Sequence, residues 1–152
     1  MTSFRFYYPI QVRYGDLDPQ WHVNNARFLS YLEQARLSYL KDLGLFDGHN
    51  FLDLGIIVAD VHIAYLAPIQ PFTNVRVGLR IVRMGTKSIN IEYQIEDEDT
   101  GQVAARAETV MVSYDYHIQK SVPVPEKWRK VISEFEGIPA GPGDTQAPKS
   151  PI

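Results

Sequence analysis

Between Tyr14 and Asn25 the sequence reads YGDLDPQWHVNN, a stretch that gathers two carboxylates, a histidine and two asparagines. Asn24 and Asn25 are of the residue types that cap helix N-termini, and an apolar periodic segment follows them. Asp16 and Asp18 therefore lie just before a helix start, where backbone N–H groups lack partners and the helix dipole favours negative charge. A carboxylate can act as base or nucleophile, and a free amide can donate to an oxygen that gains charge during reaction. Both would come from one short loop. The same residues also suit plain turn chemistry, since Asp-x-Asp-Pro commonly caps a loop through its own backbone.

Other chemistries find little support. The sequence contains no cysteine, which excludes disulfides, thiolate metal sites and cysteine nucleophiles. The four histidines, His22, His49, His62 and His117, show no short metal-ligand spacing, so no metal is expected. Phosphate-cradling and dinucleotide glycine patterns are missing, as is a G-x-S-x-G nucleophile elbow. A net charge of −3 argues against a general nucleic-acid binder. No apolar run approaches the roughly 18 residues that a membrane span needs. MTSFRFYYPIQ lacks the apolar core of a signal peptide, and a cytoplasmic location is expected.

The reactive loop must be held by the elements around it. From Phe28 the positions Phe28, Leu32, Ala35, Tyr39 and Leu43 recur at helical spacing, flanked by Leu29, Tyr31 and Leu40. That arc spans close to half the helix, so other structure must wrap it. Gly44 stands where a C-terminal cap is expected. Before the loop, residues 4–14 alternate as a half-buried strand, with Phe4, Phe6, Tyr8, Ile10, Val12 and Tyr14 on one face. After the helix the period is two. Ile57, Ala59, Val61, Ile63 and Tyr65 share a face, then Val75, Val77, Leu79 and Ile81, then Ile89, Ile91, Tyr93 and Ile95. A last strand runs from Gln102 to about Tyr116, its apolar phase shifting after Ala107 as a bulge would cause. Pro125–Gly137 predicts a short helix, with Trp128, Val131, Ile132 and Phe135 on one side. The expectation is an α+β domain over residues 1–137, an antiparallel sheet wrapped around one long central helix. Residues 138–152 are expected to form a disordered tail. Open sheet edges predict pairing into a homodimer.

The run Gly15-Asp16-Leu17-Asp18-Pro19, then His22-Val23-Asn24-Asn25, Phe28-Leu29 and Glu33-Gln34-Ala35-Arg36, resembles the 4-hydroxybenzoyl-CoA thioesterase family of hot-dog proteins. The similarity extends from about Phe6 to Tyr116 and includes the break at Tyr65-Leu66-Ala67-Pro68. It implies hydrolysis of acyl-CoA or acyl-carrier thioesters without a metal or other cofactor, coenzyme A being part of the substrate, at sites between the subunits of a homodimer or of a tetramer built as a dimer of dimers. Carried onto this sequence, the acid of the D-x-D loop is Asp18, and the oxyanion donor is a backbone N–H around Asn24 and Asn25. The asparagine pair is as in fatty-acyl thioesterase branches.

Asp18 is accordingly expected to activate water or attack the thioester, with the amide near Asn25 polarising the carbonyl. Asp16 is read as holding the loop. His22 is a candidate to orient water or substrate, and Asn24 to contact substrate as well as cap the helix. By the helical wheel Asn25 falls on the buried face, and Glu33 lies beyond the rim of the apolar arc. Arg83, Lys87 and Ser88, at the Met84-Gly85-Thr86 turn, are candidates for the coenzyme A phosphates. Two other activities fit less well. An enoyl-CoA hydratase or dehydratase of the same fold would have a D-x-N-P-x-H loop, and here Trp21 holds the histidine place and Asp18 the asparagine place. A non-catalytic acyl-CoA-binding protein is the third option.

Overall fold

A computed structural model describes residues 4–142 of the chain. The strands are β1 (Phe6–Ile10), β2 (Ile56–Tyr65), β3 (Val75–Met84), β4 (Ser88–Asp97), β5 (Val103–Asp115) and β6 (Lys120–Ser121), and the helices are α1 (Asn25–Asp42) and α2 (Glu126–Glu136). Short 3-10 turns occupy Tyr14–Asp16 and Phe51–Asp53. The sheet is antiparallel in the order β1-β3-β4-β5-β2, with β6 paired to β5. Its concave face carries Val77, Leu79, Ile81, Ile91, Tyr93, Ile95 and Met111, all buried against α1. The result is the α+β hot-dog arrangement, a curled sheet around one long helix.

α1 begins where its residues require. The Asn24 side chain accepts from the Ala26 N–H at 2.9 Å, and Asn24 has the extended backbone of an N-cap. Gly44, at φ 72°, takes the left-handed position just past the helix end. α1 packs on β1 and β3, which leaves its other flank facing β2. β2 is one edge of this sheet and β1 the other. Val58 and Val61 point toward the concave side yet are 38% and 40% exposed, while Tyr65, 46% exposed on the same side, meets Phe28 of α1 edge-on at 5.1 Å.

Three expectations are corrected. β1 stops at Ile10, and Tyr14 is in the 3-10 turn and 83% exposed, because the chain must leave the sheet to form the acidic loop. The shared face of β2 is broken. The register with β5 slips between Val58 and Asp60, so Ala59 is an extra residue. Ile56 and Val58 therefore join Val61, Ile63 and Tyr65 on the concave side, and Ile57 turns outward opposite Val112. β5 keeps an unbroken register from Ala105 to Val112 against β4, and its own extra residue is Ala104. Val110 and Val112 are buried on the convex face rather than phase-shifted onto the concave one.

α2 closes the far side of the barrel-like sheet. Ile132 and Trp128 are buried, Phe135 meets Tyr39 edge-on at 5.8 Å, and Glu136 accepts from Tyr39 OH at 2.7 Å and from the Ile81 N–H at 2.9 Å. Burial, then the Glu136 hydrogen bond, pushes the Tyr39 hydroxyl far above its ordinary range, so it remains a donor. The first residues of the expected tail are held rather than free: Ile138 packs on the core, and the Ala140 carbonyl accepts from Arg129 at 3.2 Å. The rest of that expectation, residues 143–152, lies outside the described residues.

Candidate active site at the start of the central helix

The acidic loop is built from its own backbone. The Asp18 N–H donates to the His22 carbonyl at 2.9 Å, the Trp21 N–H returns to the Asp18 carbonyl at 2.9 Å, and Leu17 bridges Val23. The Val23 N–H donates to the Ile69 carbonyl at 3.0 Å, which ties the loop to the β2–β3 connection. Closing so tight a loop drives Trp21 to φ 66°, a left-handed conformation that a bulky side chain rarely takes.

The two carboxylates divide their work. Asp16 Oδ2 accepts from the Arg13 N–H at 3.0 Å and from Tyr31 OH at 2.9 Å, and Oδ1 lies 3.9 Å from Arg27 Nε. Burial, and then this bond to Asp16, raises the Tyr31 hydroxyl well above its usual range. Asp16 is therefore fully engaged as an anchor between loop and helix. Asp18 is half-buried and uses only Oδ1, which accepts from the Gln20 N–H at 3.0 Å and, more weakly, from the His22 N–H at 3.4 Å. Among the described residues Oδ2 has no hydrogen-bond partner. Asp18 thus caps the loop with one oxygen and keeps the other available.

The helix start supplies the matching donor. Ala26 N–H is taken by the Asn24 side chain and Arg27 N–H by the Asn24 carbonyl at 2.9 Å. Among the described residues the Asn25 N–H, at the first helical position, has no acceptor. The Asn25 carbonyl accepts from Tyr65 OH at 3.1 Å, which fixes this turn against the end of β2. Asn25 is exposed within the chain, contrary to the helical-wheel expectation, because burial on α1 begins only at Phe28. His22 is half-buried beside Asp18, and its ring has no hydrogen bond among the described residues.

Arg83, Lys87 and Ser88 are elsewhere. The loop of Asp18 follows Ile10, which pairs with Val75 at the start of β3, whereas Arg83 is at the other end of that strand. Ten residues of strand separate the two ends by about 30 Å. The turn is pinned from within, although Thr86 and Lys87 are exposed. The buried Arg129 donates to the Gly85 carbonyl at 2.7 Å and the Thr86 carbonyl at 3.1 Å, and Ser88 is buried. Lys87 is exposed and reaches Ser121 Oγ at 3.3 Å.

One feature is not foreseen from the sequence. A cavity of about 320 Å³ opens between α1 and the start of β2, walled by Leu37, Leu40, Leu54, Ile56 and Met111, with Arg36 in its lining. Tyr116 closes one side and donates to the Ile56 carbonyl at 2.6 Å. The signal that could have found it is a cation inside the apolar arc of α1, Arg36 between Ala35 and Tyr39. Among the described residues no three His, Cys, Asp or Glu side chains gather closely enough to hold a metal ion, and no helix is long and apolar enough to cross a membrane.

Comparison with known proteins agrees with the fold. A family model described as the Thioesterase-like superfamily matches residues 12–132. A thioesterase of Thermus thermophilus, crystallised with coenzyme A and Zn, superposes with a TM-score of 0.79 at 35% identity, over 91% of this chain and 99% of that one. The long-chain acyl-CoA thioesterase FadM of Escherichia coli (strain K12) is 29% identical over 126 residues, covering 83% of this chain and 96% of that protein. A 1,4-dihydroxy-2-naphthoyl-CoA hydrolase of Synechocystis is 26% identical over 133 residues, covering 86% of this chain and 96% of that protein.

Proposed function

The chain belongs to the Thioesterase-like superfamily, and from that premise we propose that it hydrolyses an acyl-CoA thioester to the free acid and coenzyme A. The observation that carries the reading is the pairing, in one loop, of an Asp18 oxygen and an Asn25 N–H that are both without protein partners among the described residues. With the thioester carbonyl seated between them, the Asn25 N–H donates to the carbonyl oxygen as it gains charge. Asp18 Oδ2 either takes a proton from water as the water attacks, or attacks the carbonyl carbon itself. In both routes the C–S bond breaks, water supplies the oxygen of the acid, and the thiolate leaves as coenzyme A. His22 flanks the attacking water, and Asn24 holds the donor turn in place.

The site is completed by a second copy. Antiparallel pairing along β2 covers the exposed Val58 and Val61 and places the Tyr65 end of one strand beside the Ile56 end of the other. Tyr65 holds the helix start and Ile56 lines the cavity, so the reactive loop of one subunit then faces the cavity of its partner. The same pairing brings the loop toward the partner's β3–β4 turn. That resolves the separation of roughly 30 Å within one chain. Arg83 and Lys87 then approach the phosphates of coenzyme A, and Ser88, being buried, supports the turn.

The test is free-thiol release from a panel of acyl-CoAs, which the protein cannot obscure because it has no cysteine. Steady turnover on at least one acyl-CoA is expected. Hydration of an enoyl-CoA without thiol release, or tight binding without turnover, would contradict the proposal.

A further inference from the structure

Arg36 is out of place in the cavity wall. Its side chain is 10% exposed, and apart from Glu33 and Tyr116 the cavity walls around it are apolar. A buried guanidinium is normally paired, because removing an ion from water without compensation is unfavourable. Here Nη1 donates to Tyr93 OH at 3.0 Å, and Tyr93 OH in turn bonds Thr109 Oγ1 at 2.8 Å. Among the described residues the one carboxylate within reach is Glu33, whose Oε2 is 3.9 Å from Nη2 and whose side chain is 70% exposed. So distant and solvated a partner contributes little. Tyr116 offers no acceptor to spare, its hydroxyl being directed at the Ile56 carbonyl. Five N–H donors thus share one neutral acceptor and one remote anion. The guanidinium is held in position by Tyr93 and keeps unmatched donors toward the cavity.

We infer that this cavity takes an acyl group whose far end bears an oxygen acceptor, a carboxylate or a hydroxyl, and that Arg36 is the residue that selects it. The inference rests on the thioesterase reading, with the acyl group in the cavity and the thioester at the Asp18 loop. An apolar wall with one fixed polar group is how a small-molecule pocket sets orientation and specificity, and 320 Å³ is at the small end of such pockets. A plain hydrocarbon tail would bury the guanidinium with its donors unmatched. An acceptor at the far end of the tail satisfies them.

The experiment compares acyl-CoAs of matched length, unsubstituted, ω-hydroxyl and ω-carboxyl, on the wild type and on Arg36→Met, by thiol release. The wild type should favour the oxygenated tails in kcat/KM by about ten- to a hundred-fold, the range of a hydrogen bond to a charged group. The two oxygenated arms tell charge pairing from hydrogen bonding alone. Arg36→Met should erase the preference and improve use of the unsubstituted tail, and Arg36→Lys should keep part of it. The corresponding acyl-CoA thioethers, which cannot be hydrolysed and carry no second carboxylate, bound to the same proteins and read by calorimetry, provide a measure that needs no turnover. Selectivity in binding without thiol release would remove the thioesterase reading and leave this one standing. Equal use and equal binding of all three tails by the wild type, or a preference unchanged in a folded Arg36→Met protein, would overturn it.

Discussion

The assignment of different tasks to two acids only two residues apart can be tested by a double-mutant cycle on Asp16 and Tyr31. Tyr31 is 6% exposed, and its hydroxyl donates to Asp16 Oδ2 at 2.9 Å across the joint between loop and helix. A hydrogen bond to a charged group contributes about 1.5–3 kcal/mol. Tyr31→Phe does not orphan the carboxylate, because the same oxygen keeps the Arg13 N–H. The cost should therefore be near the lower end, about 2 kcal/mol, or a melting-point decrease of roughly 4–8 °C for a chain of this size. Asp16→Asn should cost a similar amount, and the double variant should lose little more than either single one. The assay is urea unfolding of the four proteins at one fixed concentration, since an oligomer's apparent stability depends on concentration. A coupling energy of at least about 1.5 kcal/mol is expected. A coupling under about 0.5 kcal/mol, the level at which independent sites add, would refute Asp16 as the anchor.

Trp21→Gly should raise the urea midpoint, by up to about 1 kcal/mol of stability, since φ 66° is disfavoured for any residue with a Cβ; a lowered midpoint contradicts the strain. His117 should titrate above its ordinary value, because its ring bonds Asp53 at 2.8 Å. With the folded value raised, the pair's contribution to stability is fully present below the unfolded value and is lost as pH rises through the folded one. An NMR titration should show the shift, and Asp53→Asn should abolish it. Val61→Lys places a charge on the exposed edge strand, so light scattering should show monomers and thiol release should fall with them; an active monomer would contradict the shared site.

Much of this molecule is legible in its residues because single side chains decide single features. Asn24 caps α1 and Gly44 closes it, each for a local reason that sequence displays. The meander β3-β4-β5 follows from alternation and from two turns. What sequence hides is register. Nothing local marks Ala59 as an extra residue, yet it decides that Ile56 and Val58, not Ile57, turn to the concave side. Burial at the helix start is hidden for a related reason: a helical wheel gives the direction of Asn25 but not the extent of the sheet beneath it. Arg83 and Lys87 can be picked as cations but not placed, because the distance between two ends of a strand and the action of Arg129 on the turn are tertiary facts. Arg36 is the instructive case. A cation in an apolar arc is visible in sequence, but only packing shows that its surroundings fail to neutralise it.

The central claim is that Asp18 reacts. Asp18→Asn keeps the Oδ1 acceptor that closes the loop, so its melting temperature should match the wild type. Its thiol-release rate on the best acyl-CoA of the panel should fall by about 10²–10⁴-fold, the usual contribution of a positioned base. A folded Asp18→Asn protein that turns over at the wild-type rate would contradict the account.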